Sequence, residues 1–316
     1  MPMTRYILGR IAQGALVLWV AFTISFVLVQ LMPGDAVLIR FLNPDMGMTP
    51  EDIARIQAFY GSDAPVLVQY VNSALAVLSG DLGYSVQSGV PVEEEIVTNL
   101  PPTLRLAGLS LAAALVLALA IAFAATLAPF GWLRRALASL PALMISVPVF
   151  WVGIMLIQVV SFRLGWVSVI NPGPWERLIL PVLTIALPIA APIAQILLRN
   201  IEAVEARPFV AVARAKGASR FRVIVGHVLK NAALPTLAIA GVLLGELIAG
   251  AVVTETVFGL NGLGRLAERS VRTQDIAVLQ AIVLISALAF VIVNLIVDLL
   301  ATAIDPRIRR REGVPA

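Results

Sequence analysis

Six long apolar runs, at 11–31, 106–129, 137–162, 178–198, 232–258 and 276–303, constrain this chain more than any motif it carries. A helix rises 1.5 Å per residue, so about 20 residues cross a hydrocarbon core of about 30 Å, and every run reaches that length. With no water in that core, each backbone N–H and C=O must be satisfied internally, which an α-helix does within one segment. Four runs carry no charge, 232–258 holds Glu246 and Glu255, and 276–303 holds Asp298 near its end. At 59% hydrophobic, 13% charged and mean hydropathy +0.94, the chain is too apolar for a soluble domain and too uncharged for a disordered one. The expected fold is an all-α integral membrane protein with six transmembrane helices.

The first run exceeds the 7–15 residues of a signal-peptide core, and Gln30-Leu31-Met32-Pro33 offers no small-x-small cleavage site, so 1–32 is expected to remain as N-terminus and first span. Prolines at 141, 148, 181, 188 and 192 are tolerated where neighbouring helices satisfy the freed carbonyls. Gly241, Gly245 and Ala249 recur every four residues, a pattern that lets helices approach closely. Glu246 lies near the middle of the same run, where an ionised carboxylate costs at least ~2.5 kcal/mol unless it faces protein or water, and it is expected to point inward.

Basic residues set the orientation. Arg5 and Arg10, Arg134 and Arg135, seven between 199 and 230, and Arg307, Arg309, Arg310 and Arg311 fall on one side of a six-span chain, fifteen of its 23 Lys and Arg. Short basic loops stay in the cytoplasm, which puts both termini inside. The segment 33–102 is then an extracytoplasmic loop, broken by Pro33-Gly34-Asp35, Asn43-Pro44-Asp45 and Gly80-Asp81-Leu82-Gly83. Within it Thr49, Pro50, Glu51 and Asp52 open a short capped helix. Val66, Leu67, Tyr70, Val71, Ala74, Leu75 and Leu78 mark a second helix whose apolar face either packs on the bundle or offers a docking surface.

The most polar stretch between spans is 200–231, with Arg199, Arg207, Arg214, Lys216, Arg220, Arg222 and Lys230 and few acids beyond Glu202 and Glu205. Pro208 suits a first helical turn, Val210 to Lys216 continue it, and Gly217 supplies a left-handed C′ residue. Ser219 then caps a second helix, in which Phe221, Ile224, Val225, Val228 and Ala232 form one face and Arg220, His227, Lys230 and Asn231 the other. By amphipathicity alone this elbow reads as an interfacial helix on anionic lipid.

The order of residues in the elbow resembles the permease subunits of bacterial ATP-binding-cassette (ABC) importers, whose cytoplasmic loop carries the EAA motif. The match is to the dipeptide, oligopeptide and nickel branch, through Ala213-Arg214-Ala215-Lys216-Gly217 and then His227, Leu229, Lys230, Asn231, Ala232 and Pro235. Against the general motif, Ala211 replaces Glu, His227 replaces Ile and Lys230 replaces Pro, departures that follow the branch. Further likeness lies in 33–35, though Ala36 replaces proline, and in Gly80 to Ser85, Thr103-Leu104, Ser146 to Trp151 and Leu180-Pro181. It continues in Thr254 to Phe258, in Gly262 to Arg265 after Asn261 where proline is common, in Val293-Asn294-Leu295, in Asp298, and in Asp305-Pro306-Arg307-Ile308.

The resemblance implies a type I importer permease fold in a bacterial inner membrane, with 33–102 outside, 103–306 as the five-helix core and 307–316 as a basic cytoplasmic tail. It implies that Ala213, Arg214, Ala215, Lys216, Gly217, Ser219, Arg220, Phe221, Arg222, His227 and Asn231 couple to an ATPase. Glu246, Gly245 and Asn294 become candidates to line a translocation path. Implied partners are a second related permease as heterodimer, two ATPase subunits that bind ATP and magnesium, and an extracytoplasmic binding protein. The implied cargo is a di- or oligopeptide, with nickel chelate, glutathione or oligosaccharide as alternatives.

Other classes fare worse. The chain has no Gly-x-Ser-x-Gly, His-Glu-x-x-His or Gly-x4-Gly-Lys-Ser/Thr motif, so neither intramembrane hydrolysis nor its own nucleotide binding is indicated, and no cofactor is expected on this chain. The absence of cysteine and the single His227 leave no metal cluster or thiol chemistry. A secondary transporter would show inverted repeats, whereas the two halves differ in loop size and charge.

The orientation is open to direct test in this cysteine-free chain. Ala218→Cys is expected to stay unlabelled when intact cells meet an impermeant thiol reagent; strong labelling from outside overturns the assignment.

Overall fold

A computed structural model describes residues 3–30, 49, 51–52, 55 and 64–304. The expected turns at 33–35 and 43–45, Pro50, the 305–308 signature and the tail 307–316 lie outside the described residues, as do the side chains of Gly241, Gly245, Glu246, Ala249 and Asp298. The described residues are almost entirely helical and group into two compact units.

One unit holds Pro102–Leu260 and the end of the last helix from Ile292. Its helices are α3 (Val92–Leu127, entering at Pro102), α4 (Gly131–Ile145), α5 (Val149–Leu156), α6 (Glu176–Glu205) and α9 (Leu229–Phe258), with the short α7 (Pro208–Ala215) and α8 (Arg220–Val223) between the last two. Its core is alanine-rich. Ala114 and Ala118 of α3 and Ala186, Ala190 and Ala194 of α6 recur every four residues, each essentially inaccessible, and pack with Ile185, Ile189, Ile193, Leu243 and Leu247. Helices in hydrocarbon gain little from apolar burial and associate by close backbone approach, which small side chains allow. Gly153 of α5 serves the same end: a methyl there would lie 3.3 Å from Phe258 and 3.4 Å from Thr184 and Val257.

The expected span 137–162 is instead two helices bent by 103°, Gly131–Ile145 and Val149–Arg163. Pro148 explains the break, since it has no N–H to donate and holds the residue before it out of the α region. The second limb widens into a π-helix over Ile157–Arg163. By contrast Pro181, Pro188 and Pro192 sit inside the unbroken α6, Pro181 buried. Four described helices are long and apolar enough to cross a bilayer, the bent pair makes a fifth if counted as one span, and the expected run 232–258 falls in the single helix α9.

The other unit comprises the chain up to Pro101 and Asn261–Val291. It holds α1 (Met3–Gln30), α2 (Val66–Ser79), the first turns of α3, α10 (Leu263–Arg272) and most of α11 (Ile276–Ile304). Helix α3 starts at Val92, well before the expected 106, with Glu93, Glu94 and Glu95 in its first turn, where they offset the helix dipole. Helix α10 was not foreseen. Its Leu263 and Leu266 pack with Val92, Ile96, Val278, Ala281 and Ile282, while Arg269 reaches Glu95 at 3.8 Å. Thr49 and Asp52 form the expected cap reciprocally: the Asp52 amide donates to Thr49 Oγ1, and Thr49 Oγ1 donates to Asp52 Oδ2 at 2.6 Å. That hydroxyl bond, with the Thr49 amide, holds the Asp52 carboxyl below its ordinary pKa.

A tight hairpin at 83–91 is fastened to the start of α11. Tyr84 pairs antiparallel with Pro91, and Asp275 Oδ2 accepts from the Ser85 hydroxyl at 2.5 Å and the Gln87 amide at 3.1 Å. Ser85 and Asp275 are both buried, so removing the acceptor strands a polar group, at about 1–3 kcal/mol. Asp275→Ala is expected to lower the denaturation midpoint of the detergent-solubilised protein, and Asp275→Asn, which keeps an acceptor oxygen, to lower it less. An unchanged midpoint for Asp275→Ala would mean that other contacts hold the hairpin.

Candidate functional site

The elbow begins where α6 ends at Glu205. Arg207 adopts extended backbone, which the following proline favours, and Pro208 opens α7 with its fixed φ. Gly217 then turns the chain at φ +81°, its amide donating to the Arg214 carbonyl while the Ala218 amide donates to that of Ala213. These two bonds are a Schellman closure, and only glycine enters that region without strain. Ser219 caps α8, its hydroxyl accepting from the Arg222 amide at 3.4 Å. Local rules thus place Pro208, Gly217 and Ser219 as the sequence reading expected.

The packing face differs from that reading. Val223, Val228 and Ala232 are buried with Val210 of α7, Leu197, Ile201 and Val204 of α6 and Ala122 of α3, and Ile224 is buried too. Phe221 and Val225, expected on this face, are exposed, Phe221 at 60%. The reason is a π-helical stretch over Ile224–Val228, whose wider turn shifts the face by a residue relative to α periodicity. Val223 had no signal in the α-spaced pattern.

Polar contacts lock the elbow from its sides. Arg220 donates to the Thr126 carbonyl at 2.5 Å, Arg214 pairs with Glu205 at 2.9 Å, and Arg134 pairs with Glu202 at 3.3 Å. Asn200 Nδ2 donates to the Ala232 carbonyl and Thr236 Oγ1, and Asn231 Nδ2 to the His227 carbonyl at 2.7 Å. Arg134, Glu205, Arg214, Ala218 and Arg220 line a cleft of about 440 Å³. Of the residues singled out from sequence, Arg214, Ala215, Lys216, Gly217, Ser219, Arg220, Phe221, Arg222, His227 and Asn231 are exposed and Ala213 is half-buried. Phe209, Val212 and Val225 of the same stretch are exposed as well. A bonded scaffold therefore carries an uncovered face of mixed apolar and cationic character.

The expected path residues are not gathered in the same way. Glu246 and Gly245 lie on α9 with their side chains outside the described residues, and Asn294 of α11 is half-buried. A buried acid that received no role from the sequence is Glu255, 1% exposed, whose Oε1 accepts from the Thr103 hydroxyl at 2.6 Å. A carboxylate inside an apolar run is the signal that marks it, and its threonine partner 152 residues away leaves none.

Comparison with known proteins places these features. Residues 100–310 match the family described as "Binding-protein-dependent transport system inner membrane component", and residues 3–107 match the corresponding N-terminal family. The probable peptide ABC transporter permease protein y4tP of Sinorhizobium fredii is 36% identical over 312 residues, covering 96% of this chain and 99% of that one. The glutathione transport system permease protein GsiC of Salmonella choleraesuis is 36% identical, covering 97% and 99%, and that of Escherichia coli K12 is 33% identical over the same shares. Among solved structures, an inward-facing MetNI methionine ABC transporter superposes with TM-score 0.57 at 16% identity, over 66% of this chain and 95% of that one, a likeness of fold.

The Arg220 bond is a test of how the elbow is held. A hydrogen bond to a charged donor contributes about 1.5–3 kcal/mol, less where solvent competes, as it does at this exposed guanidinium. Arg220→Ala is expected to speed amide exchange across 208–228 with helix content unchanged; exchange equal to the unaltered chain would show that the buried apolar cluster alone holds the elbow.

Proposed function

The chain belongs to the family of binding-protein-dependent transport system inner membrane components, a multi-pass membrane permease subunit of an ABC importer, and we propose that its elbow docks on an ATPase subunit to drive uptake of small peptides. Permeases of this kind are not themselves catalytic and work with ATPase and binding-protein partners. The observation that carries the docking reading is the two-sided elbow. Its inner side is buried against α3, α6 and α9, and its outer side exposes Phe209, Val212, Phe221 and Val225 beside Arg214, Lys216 and Arg222.

On this reading the motor pushes on a body that cannot deform by itself. The buried cluster and the Arg220, Arg214 and Asn200 bonds transmit displacement of the elbow into helices α3, α6 and α9. ATP and magnesium stay on the partner subunits. Small-residue contacts suit such a change, because they permit two packings of similar energy. Glu246, Gly245 and Asn294 line the path between this subunit and a second, related permease.

The proposed topology has six spans, with the bent α4–α5 pair as the third and α9 as the fifth, and both termini in the cytoplasm. The proposed division is 1–32 for terminus and first span, 33–102 outside, 103–306 for the five-helix core with the loop 200–231 inside, and 307–316 for the tail. Peptide cargo is supported by relatives named for peptide and for glutathione, the latter itself a small peptide. Nickel chelate and oligosaccharide stay as alternative cargoes of the same architecture.

Gly217 tests the coupling role. A methyl at this position would meet, its chain neighbours aside, no atom of the described residues within 4 Å, so substitution acts through backbone strain at φ +81°, about 1–2 kcal/mol, and through whatever seats outside. Gly217→Val is expected to insert and pair normally in the complex with its ATPases and binding protein, yet to lose substrate-stimulated ATP hydrolysis and uptake. Unaltered coupling in the purified variant complex overturns the docking role.

A further inference from the structure

Helix α2 carries a stripe that nothing in the described chain covers. Leu67, Val71, Leu75 and Leu78 are 47–83% exposed. At 3.6 residues per turn they lie within about 80° of arc, while Gln69, Asn72, Ser73 and Ser79 fall outside it. The helix has no charged residue, and its 14 residues reach about 21 Å, too short to cross the bilayer. A contiguous exposed stripe of this size marks a contact surface.

The depth of the helix says what the contact is. Tyr70, about 60° around the helix from that arc, packs its ring against Phe22 and Phe26 of α1 at centroid distances of 5.4 and 5.3 Å. Its hydroxyl lies 2.9 Å from that of Thr23, and Gln30 donates to Gln69 at 2.7 Å. Helix α1 carries the apolar run Leu8–Leu28, so Thr23 lies five residues, about 7.5 Å, inside the end of that run. Tyr70 is therefore anchored below the edge of the hydrocarbon, and Gln69 pairs with Gln30 just above it. That puts the first turns of α2 at the depth where an interfacial amphipathic helix rests, about 5–10 Å into the headgroup and acyl boundary.

The stripe is continuous in kind with the surface of α1 itself, where Trp19, Ile24 and Leu28 are exposed. At the far end Gly80, at φ +87°, closes α2, and Asp81 accepts from the Gly83 amide, so the chain turns polar as soon as the helix ends. We propose that α2 is an interfacial helix seated in the acyl chains of the leaflet at the Gln30 end of α1, with Leu67, Val71, Leu75 and Leu78 against lipid. This rests on α1 spanning the membrane. It removes α2 from the surface that a soluble delivery protein can reach and makes it a float that holds the outer end of α1 at fixed depth.

Nitroxide labels on single cysteines in the full chain, reconstituted in liposomes, test this. Labels at Leu67→Cys, Leu75→Cys and Leu78→Cys are expected to be several-fold more accessible to molecular oxygen than to a water-soluble chromium complex, and a label at Asn72→Cys to show the reverse. Chromium access at 67, 75 and 78 would overturn the proposal in favour of a solvent-facing helix. Shielding from both reagents would overturn it in favour of a protein cover. A Leu16→Cys label in mid-α1 separates the premise: if chromium reaches it, the span reading of α1 has failed, and if only α2 labels are aqueous, the interfacial seat has.

Discussion

Close approach between helices whose facing side chains are little more than a methyl group is what the rest of this permease depends on. In hydrocarbon a leucine gains almost nothing by leaving lipid for protein, so helices meet through van der Waals contact and polar bonds. Alanines at 186, 190 and 194 of α6 let α9 come close, Ala114 and Ala118 of α3 pack in the same buried cluster, and Gly153 lets α5 approach α6 and α9.

At the basic end the rule changes. The elbow is held by a cluster of Val, Ile and Leu with alanine, and by Arg220 and Arg214, which reach a carbonyl and an acid at 2.5 and 2.9 Å. Stiffness there fits the proposed task, in which a force applied at the elbow moves helices without first deforming the elbow. Membrane helices on a rigid handle are a sensible division for a chain that binds no nucleotide of its own on the proposed reading.

Three buried or half-buried polar pairings, Thr103 with Glu255, Ser85 with Asp275 and Thr23 with Tyr70, tie distant stretches together. In each a hydroxyl meets an oxygen where water does not compete, so the bond is stronger than at a surface and its loss leaves a stranded group. Two of these pairings join segments that resemble the family signature, Thr103-Leu104 with 254–258 and Gly80 to Ser85 with the turn before α11. Their place in the signature is thus explained by packing as readily as by contact with cargo.

Helical content, the membrane class, the two-helix elbow, its glycine turn and serine cap were legible in the sequence, because each is set by groups within about four residues or by the length of an apolar run. The family likeness was legible for the same reason, as order within short segments. What only the tertiary structure decided is non-local. The π-turn at Ile224–Val228 exchanged Phe221 for Val223 on the buried face, since the cluster from α3, α6 and α7 outweighs the local α-period. The early start of α3 and the existence of α10 depend on each other through Val92, Ile96, Leu263 and Leu266, residues far apart in the chain. Pro148 reads in the sequence as one more tolerated proline within a single span, whereas the fold breaks there by 103°. Partners 152 and 190 residues apart, as for Glu255 and Asp275, leave no trace in a single sequence, because nothing in either segment's own periodicity depends on the other.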